Sequence, residues 1–416
     1  MRFSTVLLFF VLLSLSEVAF AQPEPEPEPE PELAVPPVVA EPSQAAPTKP
    51  SEPPPLPPPP AVAAPVSPET PPAKPIVDPF SLSGARASFP LVDGLEPFVI
   101  EAHLSLFAQY VLSVRDDNGV TDWFHEFEVT RAHARIDAEF EGARARVLVE
   151  GVRSATEGAL LGVAGDSFIL RLREAWAGYT AWDIIETRLG MVPTMTTGPI
   201  ESLWGMRMVA ASGAERAGLL SPADLGGTIR GLFPKGFGWV GVGAYNGEGY
   251  SQRELNRGKN IEIATELHPF AFSDAAAPFT VLASYSSGSS GTGLARSDRV
   301  STSLGWQGDV IRGGANFTYA WGNADQGDTL SLLGEGFIRV RPIERLSLGA
   351  NAVFWKRDLA SESDWLVTIT GSAGYFIVDP LGIFLAVDGF LLGEQAEQAL
   401  PPKDDVRFRV IGAVDF

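Results

Sequence analysis

This 416-residue sequence predicts an all-β fold, a transmembrane antiparallel β-barrel of about 16 strands preceded by a signal peptide and a disordered Pro-rich segment. Three observations carry that prediction. From about residue 98 to the end, short segments alternate apolar and polar residues, the pattern of strands with one face toward lipid and one toward a polar lumen. The connections between them alternate short and long. The chain opens on an export signal, and no later run is long and charge-free enough for a spanning helix, so a membrane span would have to be a barrel.

The export signal occupies residues 1–21. Arg2 begins a short basic region, Val6 to Leu15 is nearly all apolar, and Ala19-Phe20-Ala21 is a cleavage site that makes Gln22 the first mature residue. Residues 22–80 are a run of Pro, Glu, Ala and Val that cannot build a core, and Pro fixes φ near polyproline II. This segment is expected to be a disordered periplasmic spacer, with possible cell-wall contact as a second role. It holds nine acidic residues against Lys49 and Lys74, so residues 81–416, the barrel domain, carry −13 of the formal −20. That charge argues against nucleic acid as a partner and makes any anion preference a matter of local arginines.

The predicted strands lie near 98–114, 126–140, 143–152, 168–180, 185–191, 226–233, 238–245, 260–268, 279–287, 299–307, 310–321, 329–341, 346–355, 365–376, 383–391 and 405–416. In the first, Ile100, Ala102, Leu104, Leu106, Ala108, Tyr110 and Leu112 share one face, and Glu101, His103, Ser105, Gln109 and Ser113 the other. Glu141-Gly142, Ala181 to Ile184, Pro234 to Phe237, Gly308-Asp309, Pro342 to Arg345 and Val378 to Gly382 are the short connections; Pro269 to Pro278 is the longest of that set. Ser154 to Ser167, Val192 to Leu225, Asn246 to Lys259, Gly288 to Asp298 and Leu392 to Asp404 are the long ones. Short periplasmic turns and long external loops, in phase, place both chain ends in the periplasm.

One hairpin can be read to register. A two-residue turn at Glu141-Gly142 sets Phe140 opposite Ala143, and then Glu139 opposite Arg144, Asp137 opposite Arg146 and His133 opposite Glu150. The wall is therefore expected to be mixed in charge, with Arg131 and Arg135 lacking a directly opposite acid. The last strand alternates Val406, Phe408, Val410, Gly412, Val414 and Phe416, an ending that resembles the signature read by the barrel assembly machinery.

The 34 residues from Val192 to Leu225 form the longest connection and carry Glu201, Arg207, Glu215, Arg216 and Asp224. A loop that long is uncommon unless functional or disordered, and in a wide barrel the functional version folds inward to narrow the pore. The segments Phe127 to Arg135 (FEVTRAHAR), Glu174 to Tyr179 (EAWAGY), Arg188 to Pro193 (RLGMVP) and Ala244 to Gly249 (AYNGEG) resemble the phosphate-selective porins of the porin O and porin P type, best between Phe127 and Phe270. That resemblance implies a homotrimeric outer-membrane porin whose third external loop enters the lumen. It places Arg131, Arg135, Arg171, Arg173 and Arg188 on the strand walls and Arg207 and Arg216 on the constriction loop. Arg144, Arg146 and Arg230 share the lumenal phase and complete the pore-lining candidates. Only Lys235, Lys259, Lys356 and Lys403 stand in the barrel region, so arginine has to carry any recognition of anions.

Other chemistry finds little support. Cysteine is absent, and the four histidines, His103, His125, His133 and His268, lie in no nucleophile motif, so neither an enzyme nor a cofactor is expected. The expected partners are outer-membrane lipid and small anionic or polar solutes. The alternative is a structural or adhesive outer-membrane barrel held to the cell wall by its Pro-rich arm.

Overall fold

The structure, a computed structural model, describes residues 85–89, 98–117, 120–153, 168–251, 256–323, 326–378, 380–400 and 405–415. The expected signal peptide and Pro-rich spacer, the Ser154 to Ser167 loop and Phe416 lie outside the described residues, as do parts of the Asn246 to Lys259 and Leu392 to Asp404 loops.

Sixteen antiparallel strands form a closed barrel. They are β1 (Phe98–Asp117), β2 (Val120–Phe140), β3 (Ala143–Arg153), β4 (Phe168–Ala181), β5 (Ile185–Pro193), β6 (Ala223–Phe233), β7 (Gly238–Tyr245) and β8 (Asn260–Leu267), followed by β9 (Phe279–Ser287), β10 (Asp298–Gln307), β11 (Ile311–Asn323), β12 (Gln326–Ile343), β13 (Leu346–Lys356), β14 (Trp365–Val378), β15 (Leu381–Leu392) and β16 (Val406–Asp415). Each strand pairs with its successor, and β16 closes on β1 from Val406 opposite Val114 to Asp415 opposite Ser105. All sixteen expected segments are strands. The short strand Ala85–Phe89, which the alternation did not single out, pairs with Phe98 to Ala102 of β1.

Alternation is the physical cause of this architecture. Leu104, Ile136, Leu189, Ile229, Leu304 and Leu385 are each more than half exposed on the outer face, where a lipid-facing barrel requires apolar side chains. Buried Gln109, Thr228, Asn316, Thr318 and Thr370 occupy the opposite phase. Among the described residues no helix is long and apolar enough to cross a membrane.

The β2–β3 hairpin takes the expected register: Phe140 faces Ala143, Glu139 faces Arg144, Asp137 faces Arg146 and His133 faces Glu150. Glu141 and Gly142 both have positive φ, 51° and 77°, the geometry that joins twisted antiparallel strands in two residues. Among the described residues five register shifts interrupt the ladders, two of them on the wall of β1 to β4. Between β1 and β2 the pairing skips Thr130, and between β3 and β4 it skips Arg173. Bulges re-aim neighbouring side chains, and here the second leaves adjacent Arg173 and Glu174 both buried.

The long connection between β5 and β6 is shorter than Val192 to Leu225, because Val192 and Pro193 extend β5 and Ala223 to Leu225 begin β6. The remaining residues, 194–222, are not structureless. They carry α1 (Thr197–Trp204) and α2 (Gly213–Arg216). A third short helix, α3 (Glu394–Ala399), sits between β15 and β16.

Candidate functional site

The 194–222 loop lies inside the barrel, held by apolar packing and by wall charges that grip its backbone. Leu203, Trp204, Met206 and Val209 are buried in one cluster with Phe107 of β1, Phe337 of β12, Phe384 of β15 and Ile411 of β16. Burial of each such large side chain contributes on the order of 2 kcal/mol. At the N-terminus of α1, where Thr196 makes no side-chain cap, the carboxylate of Glu262 on β8 accepts from the backbone N–H of Met195 and of Thr196, each at 3.0 Å. At the other end Arg312 donates to the Ser202 carbonyl at 3.3 Å and Arg339 to that of Gly205 at 3.0 Å. Acid against the positive end of the helix and base against the negative end is the favourable sense for its dipole. Farther along, Arg409 donates to the Val209 carbonyl at 2.6 Å, and Glu335 accepts from the Gly213 N–H at 3.0 Å.

The docked loop leaves a cavity of about 310 Å³ between its Arg207 to Ala211 stretch and the wall formed by β1 to β4. Glu150 organises that wall. It accepts from Arg171 Nε at 2.5 Å, from Arg173 Nη1 at 3.1 Å and from the Tyr250 hydroxyl at 2.6 Å, and His133 Nε2 lies 3.1 Å away. Arg171 and Arg173 also lie over the Tyr250 ring, at 4.7 and 5.5 Å from its centre. Burial, and then the hydrogen bond to Glu150, push the Tyr250 hydroxyl up to about 12. Arg131 projects over the Phe107 ring at 5.6 Å, and no carboxylate among the described residues reaches it. The cavity is lined by four guanidiniums, of Arg131, Arg171, Arg173 and Arg207, against the carboxylates of Glu150 and Glu215. Its local balance is therefore positive inside a strongly acidic chain.

Within the loop, Arg207 bridges Glu201 at 2.9 Å and Glu215. Two acids share one guanidinium in an enclosed place, so burial and the charge of Glu215 push Glu201 up to about 8. Arg216 leaves this group and faces the other flank of the loop, where it donates to Asn351 at 3.3 Å. Asp224 is a correction to the constriction-loop candidates. It is a buried residue of β6 whose carboxylate accepts from the N–H groups of Leu225, Gly247 and Gly249, bracing the mouth of a neighbouring loop.

Toward the short-turn end, a second cavity of about 300 Å³ follows the same wall. Arg146 bonds Asp137 at 2.5 Å and reaches Glu174 at 3.5 Å, Arg135 lies 2.9 Å from Asp137, and Arg144 is paired with Glu139 at 3.0 Å. Arg188 pairs with Glu186 at 3.0 Å and stacks on Trp176 at 4.7 Å; Arg230 lies 3.8 Å from Glu186 and over Trp239 at 4.2 Å. The eight wall arginines thus divide. Arg131, Arg171 and Arg173 line the cavity beside the loop, Arg144, Arg146 and Arg188 the one toward the turns. Arg135 and Arg230 belong to charge networks outside both linings. The role of Glu150 as the hub was not foreseen, although its pairing with His133 was. Tyr250 lies directly after the AYNGEG segment and carried no separate signal. The residues that grip the loop had one: Phe107, Phe337, Phe384 and Ile411 are apolar residues at lumenal positions.

A closed sixteen-stranded antiparallel barrel with a connection folded into its lumen is the fold of outer-membrane porins. The solved structures similar to it include OmpF of Salmonella typhi in complex with daunomycin, with a TM-score of 0.57 at 14% identity over 79% of this chain and 100% of that one. The anion-selective porin from Comamonas acidovorans gives 0.55 at 11% identity, covering 76% and 99%. OmpT of Vibrio cholerae gives 0.51 at 10%, covering 77% and 98%. No family model and no curated protein matches the sequence. At these identities the likeness is one of fold.

Proposed function

We propose that the chain is an outer-membrane porin through which small solutes diffuse passively, anions in preference to cations, along the wall of β1 to β5. The observation that carries this reading is the cavity beside the loop, where four guanidiniums meet two carboxylates. Fixed guanidiniums replace part of an anion's hydration, and their partial pairing with Glu150 keeps each site weak enough for release. Inorganic phosphate is the anion that the sequence resemblance favours. Assembly as a homotrimer, recognition of the last strand by the barrel assembly machinery, and a spacer reaching the cell wall belong to the same proposal.

Reconstitution of the purified chain in a planar bilayer under a salt gradient tests it. Stepwise conductance with a reversal potential of anionic sign is expected. Absence of conductance overturns the channel, and a cationic sign overturns the anion preference alone. A second reading, a structural barrel with a filled lumen, draws on the apolar cluster that packs the loop against β12, β15 and β16. Ordinary porin conductance would reject it.

A further inference from the structure

The other flank of the lumenal loop holds a third cavity, of about 410 Å³, away from the passage along β1 to β5. Val209 and Ala210 separate the two. One side of this pocket is apolar, formed by Leu333, Val353, Trp355, Leu366, Phe390 and Leu400. Its polar lining comes from Arg216, Thr368, Arg407, Arg409 and Asp388. Strand register puts Trp355 opposite Leu366, and Thr368 opposite Phe390, near the long-loop ends of their strands. Deeper along the same strands, Phe337, Phe384, Ala386 and Ile411 are packed against Leu203, Trp204 and Met206. The pocket therefore lies toward the long-loop ends of these strands, and the apolar cluster lies deeper along them, with Val209 common to both.

The cations in it are not equivalent. Arg409 is fully engaged, with two bonds to Asp388 at 2.6 and 2.8 Å, one to Gln109 and one to the Val209 carbonyl. Arg407 lies over the Phe390 ring at 5.3 Å. Arg216 is open to the lumenal solvent, and Asn351 is its one hydrogen-bond partner among the described residues. A guanidinium offers five N–H donors in a planar fork that matches a carboxylate, so Arg216, in the pocket lining, keeps most of its donors without a protein acceptor among the described residues.

We propose that this pocket binds small aromatic monocarboxylates, with the carboxylate on Arg216 and the ring among Trp355, Leu366 and Phe390. An apolar lining of this extent cannot replace the hydration of a compact inorganic anion, but it gains from burying a ring. The carboxylate of Asp388 in the lining disfavours a dianion over a monoanion. Binding does not require ions to pass, so this inference and the channel reading fail independently.

The test is a ligand-observed NMR titration of the full chain, folded in lipid nanodiscs, with sodium benzoate, against inorganic phosphate and benzylamine. Saturable benzoate binding is expected, with neither phosphate nor benzylamine competing at equal concentration. Arg216→Gln should weaken benzoate binding by about tenfold or more, the loss of a charge-assisted hydrogen bond. Phe390→Ser, which leaves the loop contacts of Arg216 in place, should weaken it as well and serves if the first variant does not fold. Absence of saturable binding, equal affinity in a folded variant, or displacement by phosphate would overturn the proposal.

Discussion

Glu150→Gln isolates the electrostatics of the passage, because it removes one charge from the hub of the wall and keeps its shape. The carboxylate accepts from Arg171, Arg173 and Tyr250, and the amide that replaces it retains one carbonyl acceptor, so the barrel should persist. For an ion about 8 Å from that charge, at an effective dielectric constant of about 20, the Coulomb energy is about 2 kcal/mol. Salt with a Debye length of about 10 Å reduces it by roughly half. A change of about 1 kcal/mol is about fivefold for one ion, and it acts in opposite senses on anion and cation, so their permeability ratio should rise by about 25-fold. The assay is the zero-current potential of single channels between two potassium chloride concentrations. An unchanged potential at unchanged conductance would mean that ions do not pass Glu150, and the assignment of the passage would be wrong.

Arg131→Gln and Arg144→Gln make a paired test in the same assay. Arg131 lies over the Phe107 ring with no carboxylate partner among the described residues, whereas Arg144 is matched with Glu139 on an exposed pair, so the first should lower anion preference and the second should leave it within error. Glu201 predicts a pH dependence. Its pKa is raised from 4.5 to about 8, so between those values the folded chain binds more protons than the unfolded one and stability falls as pH rises. Melting temperatures followed from pH 5 to 9 should decline through that window, and Glu201→Gln should flatten the decline; a parallel curve for the variant would refute the assignment. Trp204→Ala removes a side chain 1% exposed and should loosen the loop by about 3–5 kcal/mol. Limited proteolysis should then cut within residues 194–222, and channel current should grow noisier; an uncut loop would refute its dependence on this contact.

The strands were legible because a strand between lipid and water has to alternate, and every expected segment reappears with ends displaced by only a few residues. The β2–β3 register followed from a single turn, since Glu141-Gly142 leaves the pairing no freedom. What alternation does not encode is its own interruption. Arg173 and Glu174 would fall on opposite faces in a regular strand, and the skipped pairing that buries both depends on how β3 and β4 meet. The loop was recognisable by length, and several of its charged residues were identified, but the partners of those residues were not. Arg207 is paired with Glu201 and Glu215 through the local turn of α1 and α2, a contact that no periodicity reports. Asp224 was misread for the opposite reason, because β6 begins earlier than its first alternating residues indicate.

The short strand Ala85–Phe89 bears on how the barrel finds its closing register. β1 offers β16 an edge longer than β16 can cover: β16 occupies Ser105 to Val114, and Ala85–Phe89 occupies Phe98 to Ala102 in the same row. The outer segment comes from the same end of the chain and can form early, as a local hairpin. The inner one arrives from some 300 residues away, after the loop-closure entropy of the whole barrel has been met. A two-residue slip of β16 toward the short turns would keep every side chain on its proper face, so polarity alone does not forbid it. It would, however, carry Asp415 opposite His103 and bring the next residue to the place where Ala85 already pairs with Ala102. Once paired with β1, the Ala85–Phe89 segment would block that slip of β16.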